Sequence, residues 1–257
     1  MKRALVVVVM VVLLMPAGAA AASSHVHEAR FRSAALARTG SFELYLPPDY
    51  GRSRHRFPTL YLLHGSNSRA SSFLDFGLQR DLDHLIARRR VPPMIVVMIQ
   101  GGPGENDWLD TAAGHYASYV LETQALVDRV YRTLPTRIYR AIGGYSMGGF
   151  GAVNIALEHL DRFSVVESWS GFFDGLTPAV SSDRPLFARL PLRAFFYGGD
   201  HDRTVSASEN EPFAAELRGV GVRAGAAVYP GAHNSQLWSA HLSQMLAIVG
   251  RAFRGRR

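Results

Sequence analysis

Apolar and polar positions along this chain switch repeatedly between a period of two and a period of three to four. Over residues 26–46, the stretches HEARFRSAAL and SFELYLP read as two extended segments with Thr39-Gly40 as the turn between them, which predicts an antiparallel start to a sheet. Pro47-Pro48-Asp49-Tyr50-Gly51 interrupts the pattern, and FPTLYLLHG then supplies an apolar strand that runs out into His64-Gly65-Ser66-Asn67-Ser68. Residues 73–90 fit one amphipathic helix with Leu74, Leu78, Leu82, Leu85 and Ile86 on a single face, ended by Pro92-Pro93. The wholly apolar run 94–99 suits a parallel strand buried on both faces. The glycine-rich loop GGPGENDWLDTAAG follows it, at the end where such sheets bind ligands.

The second half continues the alternation. Residues 116–132 read as a helix, and 163–169 and 192–197 as strands running into Gly171 and Gly198-Gly199. A helix over 211–220, a last strand over 223–229 and a helix over 235–253 complete the series. Strands alternating with helices imply an α/β fold with a mostly parallel central sheet, helices on both faces and right-handed crossovers. The only cap candidate, residues 172–191, is too short for a lid domain, so an open site is expected.

Between the two halves lies IYRAIGGYSMGGFGAVNIALEH, residues 138–159: an apolar strand, then Gly144-Tyr145-Ser146-Met147-Gly148, then helical spacing. This is G-x-S-x-G, where a serine occupies a strained strand-to-helix turn and the glycines let strand and helix approach closely. A hydroxyl there is exposed for attack, and the helix behind it offers N–H groups and a positive dipole end to an oxyanion. A glycine-rich turn with an incidental serine would match the five residues as well; the strand before and the helix after favour the catalytic reading.

Composition narrows the picture. The 257 residues are 47% hydrophobic, which suits one α/β domain, taken as residues 23–257. Lys2 and Arg3, an apolar run over 4–15 and a small-residue stretch to Ala22 read as a signal peptide over residues 1–22, implying a secreted or extracytoplasmic protein. With no cysteine there is no disulfide framework, thiol chemistry or lipid-modified cysteine. The net charge is +7, and Lys2 is the only lysine. That arginine excess would allow loose association with an anionic envelope, but apart from Arg88-Arg89-Arg90 and Arg254, Arg256 and Arg257 the arginines are scattered. Neither cluster interleaves aromatics, so nucleic acid is not an expected partner.

A serine nucleophile needs a base within hydrogen-bond reach and a carboxylate to orient that base. In this arrangement the partners follow in the order serine, acid, histidine. His233 lies in YPGAHNSQLW on the loop after the last strand, whereas His241 falls within the C-terminal helix as a surface residue, so His233 is the expected base. FFYGGDHDRTV offers Asp200 and Asp202, both beyond the carboxyl end of a strand; placement does not separate them, and the one not used would cap the helix after Ser206. Backbone amides of Met147 and Ser66 are the expected oxyanion donors. His64, ending a buried strand, reads as structural. No histidine pair has metal-site spacing, and neither a metal nor another cofactor is expected.

LYLLHG, the loop with Trp108 and Asp110, the YRT segment at 131–133, AIGGYSMGGFGA, SGFFD, the GGDHD loop and GAHNSQLW together resemble the esterase D-like putative esterases. That family includes S-formylglutathione hydrolases, feruloyl and enterochelin esterases and mycolyltransferases, and the likeness runs from about residue 42 onward. It implies an α/β-hydrolase fold and a small-molecule or glycan ester substrate. It also implies Asp202 as the acid, because that residue ends a G-x-x-D stretch, completing a triad of Ser146, Asp202 and His233 with Ser66 and Met147 at the oxyanion hole. Trp108, Asp110 and Trp238 become candidate substrate contacts, and Trp108, Tyr116 and Trp169 candidate aromatics for holding a sugar. The signal peptide argues against the cytosolic role of S-formylglutathione hydrolases. Three readings follow: an exported serine esterase, an acyltransferase moving the acyl group to a sugar hydroxyl, and a non-catalytic envelope protein of the same fold. Acyl specificity and oligomeric state are not encoded in any recognisable motif.

Overall fold

The computed structural model describes residues 23–102, 104–182 and 184–254. The signal-peptide stretch and the Arg256-Arg257 tail lie outside the described residues. In chain order, β1 (His25–Arg32) and β2 (Thr39–Leu46) precede β3 (Thr59–Leu63), α1 (Ser72–Asp75), α2 (Leu78–Ala87) and β4 (Ile95–Gln100). A small hairpin, β5 (Asp110–Thr111) and β6 (Gly114–His115), leads into α3 (Tyr116–Val130), β7 (Arg140–Tyr145), α4 (Met147–Glu158) and β8 (Val165–Trp169). Then come α5 (Thr177–Ser182), α6 (Arg184–Arg189), β9 (Arg193–Gly199), α7 (Asn210–Gly219), β10 (Arg223–Tyr229) and α8 (Ser235–Arg254).

Eight strands form one sheet in the order β1-β2-β4-β3-β7-β8-β9-β10. β1 pairs antiparallel with β2 and β2 antiparallel with β4, whereas every pair from β4 through β3, β7, β8 and β9 to β10 is parallel. The inner strands β3, β7 and β8 are buried at every position and mostly apolar, because both faces are covered. Along β3, Tyr61 and Leu63 face the core beneath α3, α4 and α7, while Leu60 and Leu62 face the core beneath α1, α2 and α8. Parallel strands all end on one side, so the loops after β3, β4, β7, β8, β9 and β10 converge at a single edge.

Three sequence expectations shift. The turn between β1 and β2 is residues 33–38, closed by the Ser33 amide on the Arg38 carbonyl at 3.0 Å and held by Glu122, which accepts from the Ser33 hydroxyl and the Ala34 amide. Gly40 sits inside β2 for a different reason: a Cβ there would come within 2.5 Å of the Tyr119 ring. The helix expected over 73–90 is two helices, broken at Gly77, whose φ of 98° is left-handed. The cap candidate contains the short helices α5 and α6, whose side chains Val180 and Phe187 pack into the core.

Candidate active site

β7 carries the chain up the middle of the sheet and stops at Ser146, which has φ 54° and ψ −126°, a strained conformation for a residue with a side chain. Its amide is tied to the Trp169 carbonyl at 2.8 Å, and α4 begins at the next residue. The glycines of the elbow are steric requirements. A Cβ on Gly144 would lie 2.4 Å from the carbonyl oxygens of both Leu63 and Gly148, and one on Gly148 would lie 2.0 Å from the Leu63 oxygen. With these side chains absent, α4 and the strand β3 close up around the serine.

His233 follows β10 and reaches back over the sheet edge to Ser146, its Nε2 lying 2.8 Å from the serine Oγ. On its other side Nδ1 donates to Asp202 Oδ2 at 2.7 Å. A carboxylate only accepts, so Nδ1 carries the proton and Nε2 is left free to accept the serine hydroxyl proton. The Asp202 side chain is fully buried, and its second oxygen takes the amides of Thr204 and Val205, both at 2.9 Å. These bonds hold one oxygen so that the other points at the imidazole. Trp238 stands edge-on to the His233 ring at 5.3 Å, with its Nε1 donating to Ser170 Oγ at 3.2 Å.

Asp200 does not cap the helix that follows. Its Oδ1 accepts the Gly231 amide at 2.9 Å, on the loop that carries His233. Ser206 is itself the cap, accepting from the Ser208 amide. His241 is also not a free surface residue: it is half-buried and stacked on Tyr229 with ring centroids 3.7 Å apart, in the middle of α8.

Ser66 and Met147 both border the cleft over Ser146. Met147 opens α4, so its amide has no acceptor within the helix. The Ser66 loop lies against the nucleophile, since a Cβ on Gly65 would be 3.2 Å from the Ser146 Cβ. Two hollows meet at Ser146 and Ser66. One, of about 400 Å³, is lined by Tyr145, Phe76, Trp238 and hydroxyl side chains. The other, of about 380 Å³, is bordered by Phe172, which stacks on Phe150 at 4.5 Å, and by four carboxylates: Glu105, Asp107, Asp174 and Glu209. Burial first, and then the charge of Glu105, push the Asp107 carboxyl above its ordinary range.

Several expected substrate contacts are corrected. Trp108 is fully buried, donating from Nε1 to the His64 carbonyl at 3.1 Å and filling the space left by Gly101 and Gly151. It anchors the loop that presents Glu105 and Asp107. Asp110 is exposed and absent from both hollows; it caps α3, accepting from the Ser118 amide at 3.0 Å and from the Ser118 hydroxyl. Tyr116 and Trp169 are packing residues, 8% and 0% exposed. Trp238 alone of the three candidate contacts borders a hollow beside Ser146. His64 is buried and structural: Nδ1 donates to the Gly65 carbonyl at 2.8 Å and Nε2 accepts the Gly101 amide at 2.9 Å, and burial keeps its pKa below the ordinary value. Phe172 and Asp174 lie in the SGFFD segment and Glu105 and Asp107 in the glycine-rich loop, but the sequence pattern singles out none of them as a substrate contact, and Glu209 lies in neither stretch.

The profile of the "Putative esterase" family matches residues 33–249. The chain belongs to that family. Its sheet and elbow are those of α/β-hydrolases, and a solved ferulic acid esterase superimposes with a TM-score of 0.82 at 26% identity, covering 90% of this chain and all of the other. Esterase Rv1288 of Mycobacterium tuberculosis (strain ATCC 25618 / H37Rv) is 29% identical over 151 residues, 55% of this chain and 31% of its own length. An endo-1,4-beta-xylanase/feruloyl esterase of Xylanibacter ruminicola is 25% identical over 234 residues, 86% of this chain and 31% of its own length. The chain thus spans about a third of the length of these curated relatives. Among the described residues no helix is long and apolar enough to cross a membrane, and no group of three or more metal-binding side chains is present.

Proposed function

We propose that this protein is an exported serine carboxylesterase that hydrolyses a neutral ester through an acyl-enzyme on Ser146. One observation carries the reading: the unbroken hydrogen-bonded line from Ser146 Oγ through His233 to a buried Asp202. In the first half-reaction Ser146 Oγ attacks the ester carbonyl carbon while His233 Nε2 takes its proton, and Asp202 stabilises the imidazolium that results. The carbonyl oxygen, now negative, faces the amides of Met147 and Ser66. Collapse of the tetrahedral intermediate breaks the bond to the alcohol oxygen, which leaves with the proton from His233. Water then repeats the sequence on the acyl-enzyme and releases the acid.

The likeness to a ferulic acid esterase and to an endo-1,4-beta-xylanase/feruloyl esterase supports an aryl acid as the acyl group, with Phe172 and Trp238 as its apolar flanks. The four carboxylates bordering one hollow disfavour anionic leaving groups, whether alcohols or thiols such as glutathione. Export rests on the N-terminal charge, apolar run and small residues of the sequence. The decisive comparison is wild type against Ser146→Ala, using methyl ferulate hydrolysis and labelling by a fluorophosphonate probe. The variant should lose roughly 10³-fold or more in kcat/KM and all labelling, with its near-UV spectrum unchanged. Undiminished labelling of the alanine variant would put the nucleophile elsewhere.

A further inference from the structure

The sequence scatters its arginines, but the fold gathers a set of them at the end of the sheet opposite Ser146. Where β3, β4 and β7 begin there is a hollow of about 370 Å³ with Phe57, Pro58, Pro93 and Phe253 in its wall and His55, Arg56 and Arg254 among its lining residues. It shares Pro92, Pro93 and Arg254 with a neighbouring depression lined by Arg89. The Arg254 guanidinium donates to the Arg89 carbonyl, which ties the end of α8 to the run Arg88-Arg89-Arg90 just past α2. Arg54, Arg56, Arg88, Arg89, Arg90 and Arg254 are all exposed, and none of them takes part in an ion pair among the described residues.

Charge is therefore separated along the strand direction, with carboxylates around the cleft at Ser146 and arginines at the far end. The arginine end also has apolar character. Val130, 59% exposed and the most exposed large hydrophobic side chain among the described residues, ends α3 two residues before Arg132, whose Nε bonds the His55 carbonyl at 3.3 Å. A dissolved polyanion would need only the charges. Arginines around an apolar hollow, with an exposed valine on the same end, match a surface that presents phosphates above hydrocarbon.

We propose that this face docks on an anionic phospholipid surface, with lipid phosphates on Arg54, Arg56, Arg89 and Arg254. The six residues of β7 separate the docking face from Ser146 by roughly 20 Å, so the cleft faces away from the bilayer and stays open to dissolved substrate. Docking here localises the enzyme without covering its site.

Co-sedimentation of the purified protein with vesicles tests this. Phosphatidylcholine vesicles are compared with mixed phosphatidylcholine and phosphatidylglycerol vesicles, at low and at high salt. Wild type should bind the anionic vesicles at least ~10-fold better than the neutral ones and be released by salt. Arg56→Glu/Arg89→Glu/Arg254→Glu should lose that binding by about tenfold or more, whereas Arg32→Glu/Arg38→Glu/Arg69→Glu, exposed at the Ser146 end of the sheet and with the same net charge, should stay within about twofold of wild type. Should loss of the Arg254 bond unfold the first variant, Arg88→Glu/Arg90→Glu carries the same comparison, since neither side chain bonds within the described residues. Equal losses in both triple variants would reduce the effect to net charge and overturn the proposal. Displacement of vesicles by dextran sulfate at equal charge would overturn it in favour of a dissolved polymer.

Discussion

The Gly231 amide donates a hydrogen bond to Asp200 at 2.9 Å, while Asp202, two residues further on, accepts one from His233 Nδ1 at 2.7 Å. The two acids of one loop thus divide the work. Asp200 also donates its own amide to the Tyr229 carbonyl, and His201 donates to Gly231, so the loop after β9 is stitched to the loop that carries the base. The Gly231 hydrogen bond, with help from His201, holds the Asp200 carboxyl below the usual carboxylate range. Asp200 positions a backbone; Asp202 orients an imidazole.

Neutralising the two acids should therefore give unequal results. Asp202→Asn removes the charge that stabilises the imidazolium and reverses the tautomer preference, so kcat/KM on a p-nitrophenyl ester should fall by up to about 10⁴-fold. Asp200→Asn keeps an oxygen for the Gly231 amide and should stay within about tenfold of wild type, and Asp200→Ala should fall below Asp200→Asn. A collapse in Asp200→Asn beside a near-normal Asp202→Asn would reverse the two roles.

At the elbow, backbone rather than chemistry sets the limit. Gly148→Ala would place a methyl carbon 2.0 Å from the Leu63 carbonyl oxygen and 2.7 Å from that of His64, so strand and helix must separate. We expect a stability loss of roughly 3 kcal/mol or more, read as a drop in Tm of the order of 10 °C. Gly219→Ala, at the end of α7 with nothing within 4 Å of its added methyl, should be neutral or slightly stabilising. Similar Tm values for the two variants would contradict the packing argument.

These residues also show what a single sequence can and cannot carry. The elbow was legible because its glycines, serine and flanking apolar runs answer to local geometry, and His233 because a lone histidine follows a strand on a loop. The strand order was legible only as far as parallel crossovers imply. Thr39-Gly40 misled because glycine serves close approach as well as turns, and Gly40 is there for the Tyr119 ring. Trp108 misled for a related reason: an aromatic on a loop beside the site can be an anchor facing inward, and its partner, the His64 carbonyl, is 44 residues away. The roles of Asp200 and the carboxylates around the cleft depend on loops meeting across the sheet edge, which no local pattern records.

Those carboxylates should act on substrate charge. An ester whose alcohol carries a carboxylate would meet Glu105, Asp107, Asp174 and Glu209 in the same hollow. Exchanging Glu105 and Asp107 for Gln and Asn should raise kcat/KM for such an ester by roughly fivefold per charge removed, at about 1 kcal/mol each for partly solvated groups, and leave a neutral isostere unchanged. The gain should shrink in high salt. An equal change for both esters would mean that the charges do not reach the substrate.

Deep in β8, Glu167 is fully buried with neither carboxyl oxygen hydrogen-bonded, and burial pushes its pKa well above the ordinary value. The folded protein then keeps a proton that the unfolded chain loses once pH passes the ordinary carboxylate range. A raised carboxyl of this kind makes stability fall as pH rises from that range toward the folded-state pKa. Glu167→Gln does not titrate, so it should remove that slope: close to wild type near pH 4 and more stable by roughly 1 kcal/mol or more near pH 8. Denaturant melts at the two pH values measure this, and parallel pH curves for the two proteins would exclude Glu167 as the source.

Water and a sugar hydroxyl compete for the same acyl-enzyme, so the residues that form it do not decide its fate. Transfer wins when a site excludes water and holds the acceptor in line for attack. Here the segment over the site amounts to two short helices, α5 and α6, and the aromatics that could have held a sugar are turned inward: Trp108 and Trp169 are fully buried and Tyr116 nearly so. Of the tryptophans, only Trp238 borders the cleft, and it is edge-on to His233 and bonded to Ser170, with no second tryptophan opposite it. Lacking a stacked platform, a sugar at millimolar concentration gains little effective molarity over bulk water. Hydrolysis should therefore dominate. With a short acyl ester supplied beside trehalose or glucose, mass spectrometry should find free acid in large excess over acyl sugar, and acyl sugar in excess would make the protein a transferase.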